Sequence, residues 1–207
     1  VAKAVQLMKL RFAVITSVDR DDLKDGGSKA FAETILKVRE LNPETKIEVL
    51  IPDFKGHSDQ LQHIIDAEPD VLNHNTETVP SLYRRVRPQG RYHWTLKVLR
   101  ESREAGLITK TGMMLGLGEK KDEVLQVMDD LVENGCQILT LGQYMQPTRL
   151  HFPIQRFITP EEFAEYKEEG LRRGFDAVES GPLVRSSYHA DQTARAAHEA
   201  KNLKSKG

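Results

Sequence analysis

The 207-residue sequence has one cysteine, one tryptophan and almost no net charge, and each scarcity narrows what the chain can be. A lone Cys136 rules out an internal disulfide framework and any zinc or iron–sulfur centre built wholly from this chain's thiolates, and it fits a reducing compartment. Thirty basic residues against 31 acidic ones leave a net charge of −1, so the electrostatic footprint of a general nucleic-acid binder is missing despite the local cluster Arg84, Arg85 and Arg87. No apolar run approaches the roughly 20 residues that span a bilayer. Neither nucleic acid nor a membrane is expected as a partner. The seven histidines are dispersed without a His-x3-His pair or a cysteine neighbour, which disfavours zinc. Asp19, Asp21, Asp22 and Asp25 lack the glycine and distal glutamate of a calcium loop and read as a solvated acidic turn. The first ten residues carry no signal-peptide pattern.

What the sequence has is alternation. Val1, Val5 and Met8, with Ala4, recur at helical spacing, so the chain opens inside or just before a helix, as a fragment would. Short β-rich runs at 12–18, 46–51, 71–75, 109–115, 138–142 and 177–180 read as strands. Helical periodicity fills 28–41, 57–67, a stretch including 80–85, 92–105, 121–134 and 160–170. Strands separated by helices imply parallel pairing through right-handed crossovers. The strands end in polar or glycine-rich loops at 17–22, 52–57, 73–78, 116–119 and 143–148, and a β/α barrel gathers such ends at one mouth. The expectation is an α/β fold, a partial β/α barrel over residues 1–193, with a first strand missing ahead of the opening helix. Residues 194–207, rich in alanine and lysine, read as a polar tail, either a solvated helix or disordered.

Three segments concentrate polar chemistry. Arg185 to Asp191 packs cationic, hydroxyl, phenolic, imidazole and carboxylate groups together, which suits either a site or a polar loop satisfying its own backbone. Ser187 and His189 are too close in sequence for a dependable triad. Gly112 to Glu119 leads an apolar strand into glycines, either for close approach by a ligand or as a plain tight turn, and it lacks the spacing of a P-loop or dinucleotide fingerprint. Asn73, Asn75 and Glu77 alternate, so they form one polar row suited to a ribose or amino-acid moiety, or else belong to an Asx turn with a helix cap at Thr78. Cys136 enters an apolar strand and reads as a small buried residue.

In order and spacing, these segments resemble the lipoyl synthase family of radical S-adenosylmethionine enzymes. The matching stretches are Val14 to Leu23, Ile47 to Phe54, Asn73 to Pro80, Leu82 to Pro88, Thr109-Lys110 with Gly112 and Leu115 to Glu119, Gly142 to Tyr144 with Gln146 to Thr148, and Val184 to Asp191. The resemblance implies a partial barrel of radical S-adenosylmethionine type with two 4Fe-4S clusters. One, held by three cysteines after the first strand, cleaves S-adenosylmethionine. The resulting 5′-deoxyadenosyl radicals take hydrogens from C6 and C8 of a protein-bound octanoyl-lysine, and the auxiliary cluster donates sulfur to both carbons. It further implies octanoylated lipoyl-carrier domains as partners, on 2-oxoacid dehydrogenase E2 subunits and the glycine cleavage H protein. An electron donor such as ferredoxin or flavodoxin is implied too, in the cytoplasm or, in a eukaryote, the mitochondrial matrix or plastid.

By residue, the resemblance assigns Ser187 as the serine ligand of the auxiliary cluster. It points to Ser17, Asp19, Arg20, Asn75, Glu77 and the turn at Gly116 as contacts to S-adenosylmethionine. Lys110 is open between the methionyl carboxylate and a surface role. No catalytic side chain is identifiable. Both three-cysteine motifs are absent, so the chain as written cannot ligate either cluster. It is expected to be a truncated copy of a working enzyme, with two alternatives: an inactive remnant that binds the carrier, or an unrelated metal-free barrel.

Overall fold

The computed structural model describes residues 1–204. Six strands alternate with helices: α1 (Ala2–Leu7), β1 (Phe12–Thr16), α2 (Ser28–Leu41), β2 (Lys46–Leu50), α3 (Ser58–Asp66), β3 (Val71–Asn73), α4 (Tyr83–Val86), α5 (Tyr92–Glu104), β4 (Ile108–Leu115), α6 (Lys121–Glu133), β5 (Ile138–Gln143), α7 (Pro160–Arg173), β6 (Ala177–Gly181) and α8 (Ala190–Lys204). They form one sheet in sequence order, every neighbouring pair parallel. This is a partial β/α barrel. No helix of the described residues is long and apolar enough to cross a membrane.

Local chemistry accounts for the boundaries. Thr159 accepts from the Glu162 amide while the Glu162 carboxylate accepts from the Thr159 amide, and Pro160 fits the first turn of α7. Gly174, at φ +114°, ends that helix beyond the expected residue 170. Period-two alternation divides the strands. Ile47, Val49 and Leu72 face outward under α2 and α3, and Leu115, Leu139 and Leu141 face outward under α6 and α7.

The inward faces are layered. At the strand starts Val71, Ile108, Ile138 and Ala177 pack against Ala194 and Ala197 of α8, so that helix stoppers the end of the barrel opposite the mouth. Where a polar tail is expected, α8 runs through residue 194 and buries an alanine stripe; residues 205–207 lie outside the described residues. The next layer is polar. Lys110 Nζ lies 3.0 Å from Glu48 Oε1 and 3.1 Å from Oε2, both side chains fully buried, and Asn73 Nδ2 donates to Glu48 at 2.9 Å. Lys110 is therefore neither a surface residue nor exposed to the mouth. Above this layer the barrel opens.

Candidate functional site

The C-terminal ends of β1, β2 and β3 surround a cavity of about 410 Å³, to which Ser17, Asp19, His74, Asn75, Glu77 and Arg87 contribute. A second cavity of about 190 Å³ continues over β4 and β5, between Gly112, Gly142, Met145 and the Val184–Ser186 segment. Asn75, Glu77 and Met114 line both, so the two hollows adjoin.

The chain after β3 is held down on β4 as it bends. His74 N–H donates to Lys110 O, Glu77 N–H to Gly112 O, and Met114 N–H returns to Glu77 O. Glu77 adopts φ +70°, a left-handed conformation costing a non-glycine residue on the order of 1–3 kcal/mol and found most often at ligand sites. Asn73, Asn75 and Glu77 all face the barrel interior, at two depths: Asn73 lies in the polar layer below, while Asn75 and Glu77 share the cavity wall. Thr78 caps no helix; the turn beginning at Pro80 has Val79 at its N-cap.

Asn75 Oδ1 is buried without a hydrogen-bond partner, a state that normally calls for a ligand or water. Gly112 makes room for it, since a Cβ there would lie 2.8 Å from Asn75 Oδ1 and 2.9 Å from Thr140 Oγ1. Burial pushes the Glu77 carboxyl above the usual carboxylate range, opposed by the Arg87 charge and by hydrogen bonding from Asn75. His74 is a neutral strut rather than an acid. Its Nδ1 lies 2.8 Å from Ile51 O, which can only accept, and burial lowers its pKa to about 4.

The remaining expected residues are dispersed. Arg20 is exposed, forked onto Asp22 at 2.7 Å through Nε and again through Nη2, and lines an adjoining groove that Asp19 shares. Gly116 does not line either cavity. Its amide donates to Glu119 Oε1 at 2.7 Å and the Leu117 amide to Oε2 at 2.9 Å, so the chain's own carboxylate occupies the donors a ligand would use. Ser187 is exposed in the turn between β6 and α8. Its segment lies across the mouth because Gly142 has no Cβ; one there would run into the Val184 carbonyl. Gly142→Ala should therefore cost about 1–3 kcal/mol by overpacking. Faster amide exchange over residues 184–189, with the rest of the sheet unchanged, would be its signature.

Arg87 is the residue that sequence reasoning undervalued. In the sequence it stands within a cationic cluster and the stretch Leu82 to Pro88 without a role of its own, although its place just before Pro88 and near Gly90 hints at a fixed turn. Its Nη1 donates to Asn75 O at 3.1 Å and its Nη2 to Asp53 Oδ2 at 3.3 Å.

The donor set suits one of the two implied groups. An orphaned amide oxygen, a half-buried carboxylate and strand-end hydroxyls around one cavity fit S-adenosylmethionine. The described residues do not by themselves supply the ligand set of an iron–sulfur cluster. Among the described residues no group of three or more His, Cys, Asp or Glu side chains is placed to hold a metal. Cys136 is buried just before β5, at the end away from the mouth, and burial pushes its thiol up to about 12. A thiol-specific reagent at pH 8 should leave native protein unlabelled and modify Cys136 only after denaturation; rapid native labelling would contradict this burial.

Comparison with known proteins bears on the same region. Residues 1–131 match the family model of the radical SAM superfamily. A lipoyl synthase of Bacteroides fragilis (strain YCH46) is 54% identical over 195 residues, covering 94% of this chain and 68% of that protein. One from Rubrobacter xylanophilus is 56% identical over 194 residues, covering 93% of this chain and 60% of its own length. Among solved structures, methylornithine synthase (PylB) superposes with a TM-score of 0.63 at 15% identity, over 84% of this chain and 52% of that one. That last likeness is one of fold.

Proposed function

The chain belongs to the lipoyl synthase family of the radical SAM superfamily, and from that membership we propose that its strand-end cavity binds S-adenosylmethionine for sulfur insertion into a protein-bound octanoyl-lysine. The observation that carries the reading is the unpartnered, buried Asn75 Oδ1 beside the half-buried Glu77 carboxylate, an acceptor pair matched to an amine and a ribose. Asp19 and Ser17 extend the polar wall. S-adenosylmethionine, when bound and reduced, supplies the radical chemistry that opens C6 and C8 to sulfur. Gly112 and Gly142 keep the adjoining hollow free of side chains, and Met114 and Met145 give it an apolar side suited to an acyl chain.

The serine oxygen of Ser187, one residue beyond the Val184–Ser186 stretch that lines this hollow, is proposed as one ligand of an auxiliary cluster. Arg20 and Gly116 support the site from its margins, Arg20 beside Asp19 and Gly116 through the Glu119 turn. The cluster thiolates are proposed to lie in the portion of the relatives that this chain does not span. On this reading two 4Fe-4S clusters, an electron donor and an octanoylated carrier domain complete the enzyme. Retention of both Ser187 and the cavity residues favours a catalytic scaffold over a carrier-binding remnant. The test is anaerobic reconstitution of the protein carrying the full cysteine set, with iron quantified and carrier mass measured. A gain of two sulfur atoms per octanoyl group supports the proposal; cluster-loaded protein that leaves the carrier mass unchanged contradicts it.

A further inference from the structure

Arg87 stands between the two loops that shape the cavity. On one side it holds Asp53, a buried carboxylate whose Oδ1 also accepts from the Lys55 amide at 2.9 Å. That loop is strained: Phe54 and Lys55 have φ of +47° and +52°. On the other side Arg87 donates to the backbone carbonyl of Asn75, the residue with the orphaned amide oxygen. The arginine is itself pinned. Gly90 N–H donates to Arg87 O at 3.0 Å, and a Cβ on Gly90 would sit 2.7 Å from Arg87 Cδ and Nε, so the bare glycine lets the side chain lie flat.

We propose that Arg87 is a positioning residue of the cavity, bracing the loop after β2 against the end of β3 and supplying the positive charge that faces Glu77. The inference rests on the cavity being the S-adenosylmethionine site. An arginine suits the task because its planar fork spans a carboxylate and a carbonyl together, which a lysine ammonium cannot do with the same geometry. The charged and titratable groups around Glu77 are Arg87, Asp19 from the loop after β1, Arg185 from the segment after β6, and His74 and Tyr83 behind it. Asp19 and burial disfavour the Glu77 carboxylate and Arg87 favours it. His74 stays neutral near pH 7 and Tyr83 is held protonated, so neither can substitute for the arginine.

The sign of the pH effect follows. A carboxyl with a raised pKa loses its charge earlier as pH falls, so binding that needs the carboxylate weakens on the acid side. Removing the Arg87 charge, which favours the carboxylate, moves that acid limb to higher pH. The experiment is calorimetric titration of S-adenosylmethionine into the full chain between about pH 5 and pH 8. Comparison at each pH cancels the ligand's own titration. Arg87→Gln is expected to bind about tenfold more weakly at the alkaline end and to shift the limb upward. Arg87→Lys keeps the charge and loses the brace, so it is expected to lose affinity with the limb in place. An unmoved limb in Arg87→Gln, or unsubstituted affinity in Arg87→Lys, overturns the proposal while leaving the cavity's assignment standing. Failure of the unsubstituted chain to bind at any pH overturns both. Should Arg87→Gln not fold, Arg87→Lys alone decides the brace.

Discussion

Lys110→Met alone is expected to destabilise the protein by about 3–5 kcal/mol, because it strands the Glu48 carboxylate in the barrel interior without its countercharge. The pair is fully buried, and Glu48 is further fixed by Asn73 Nδ2. A buried ion pair is weak evidence for stability in itself, since desolvating two charges offsets most of their attraction. The double variant Lys110→Met, Glu48→Gln is therefore expected to recover most of the loss. The new amide presents an oxygen to Asn73 Nδ2 and an NH₂ to Asn73 Oδ1, which now has no partner. Urea unfolding of the four chains of this cycle reads the coupling directly. Additive losses would mean that the two side chains do not interact as described.

Glu119→Ala is expected to cost about 3 kcal/mol or more, since hydrogen bonds to a charged acceptor are worth about 1.5–3 kcal/mol each and two buried amides lose theirs. The defect should be local as well as global. Exchange at the Gly116 and Leu117 amides should accelerate beyond that of neighbouring β4, and Gly116, at φ +99°, should lose its fixed turn. Glu119→Gln keeps one acceptor oxygen and should fall between the two. A loss below about 1 kcal/mol in the alanine variant would show that water replaces the carboxylate at no great cost.

Much of the architecture is legible in the sequence, and the reasons are local. The periodicity of Phe31, Ile35 and Val38 with Asn42-Pro43 behind it fixes α2 to the residue, and β-branched runs fix β2 and β5 closely. What is not legible depends on tertiary placement. Lys110 sits in a strand whose interior is charged, and only Glu48, a lone acid in the apolar run of β2, signals the partner. Alternation places Asn73, Asn75 and Glu77 on one inward face, but it shows neither the left-handed turn at Glu77 nor the burial of Asn73 against Glu48 beneath the cavity. Alanine spacing in α8 carries little hydropathy, yet small residues are what the narrow strand starts accept. Family resemblance recovers the neighbourhood of the cavity, while the division of labour within it, with Glu119 occupying the Gly116 turn and Arg87 bracing Asn75, depends on contacts between residues distant in sequence or hidden in a turn.

The most direct test of the central claim is hydrogen exchange of the full chain with and without S-adenosylmethionine. The cavity account predicts slower exchange at the strand ends, residues 16–19, 50–53 and 74–77, with the α8 end of the barrel unaffected. Protection centred on α8 and the strand starts, or none at saturating ligand, would contradict it.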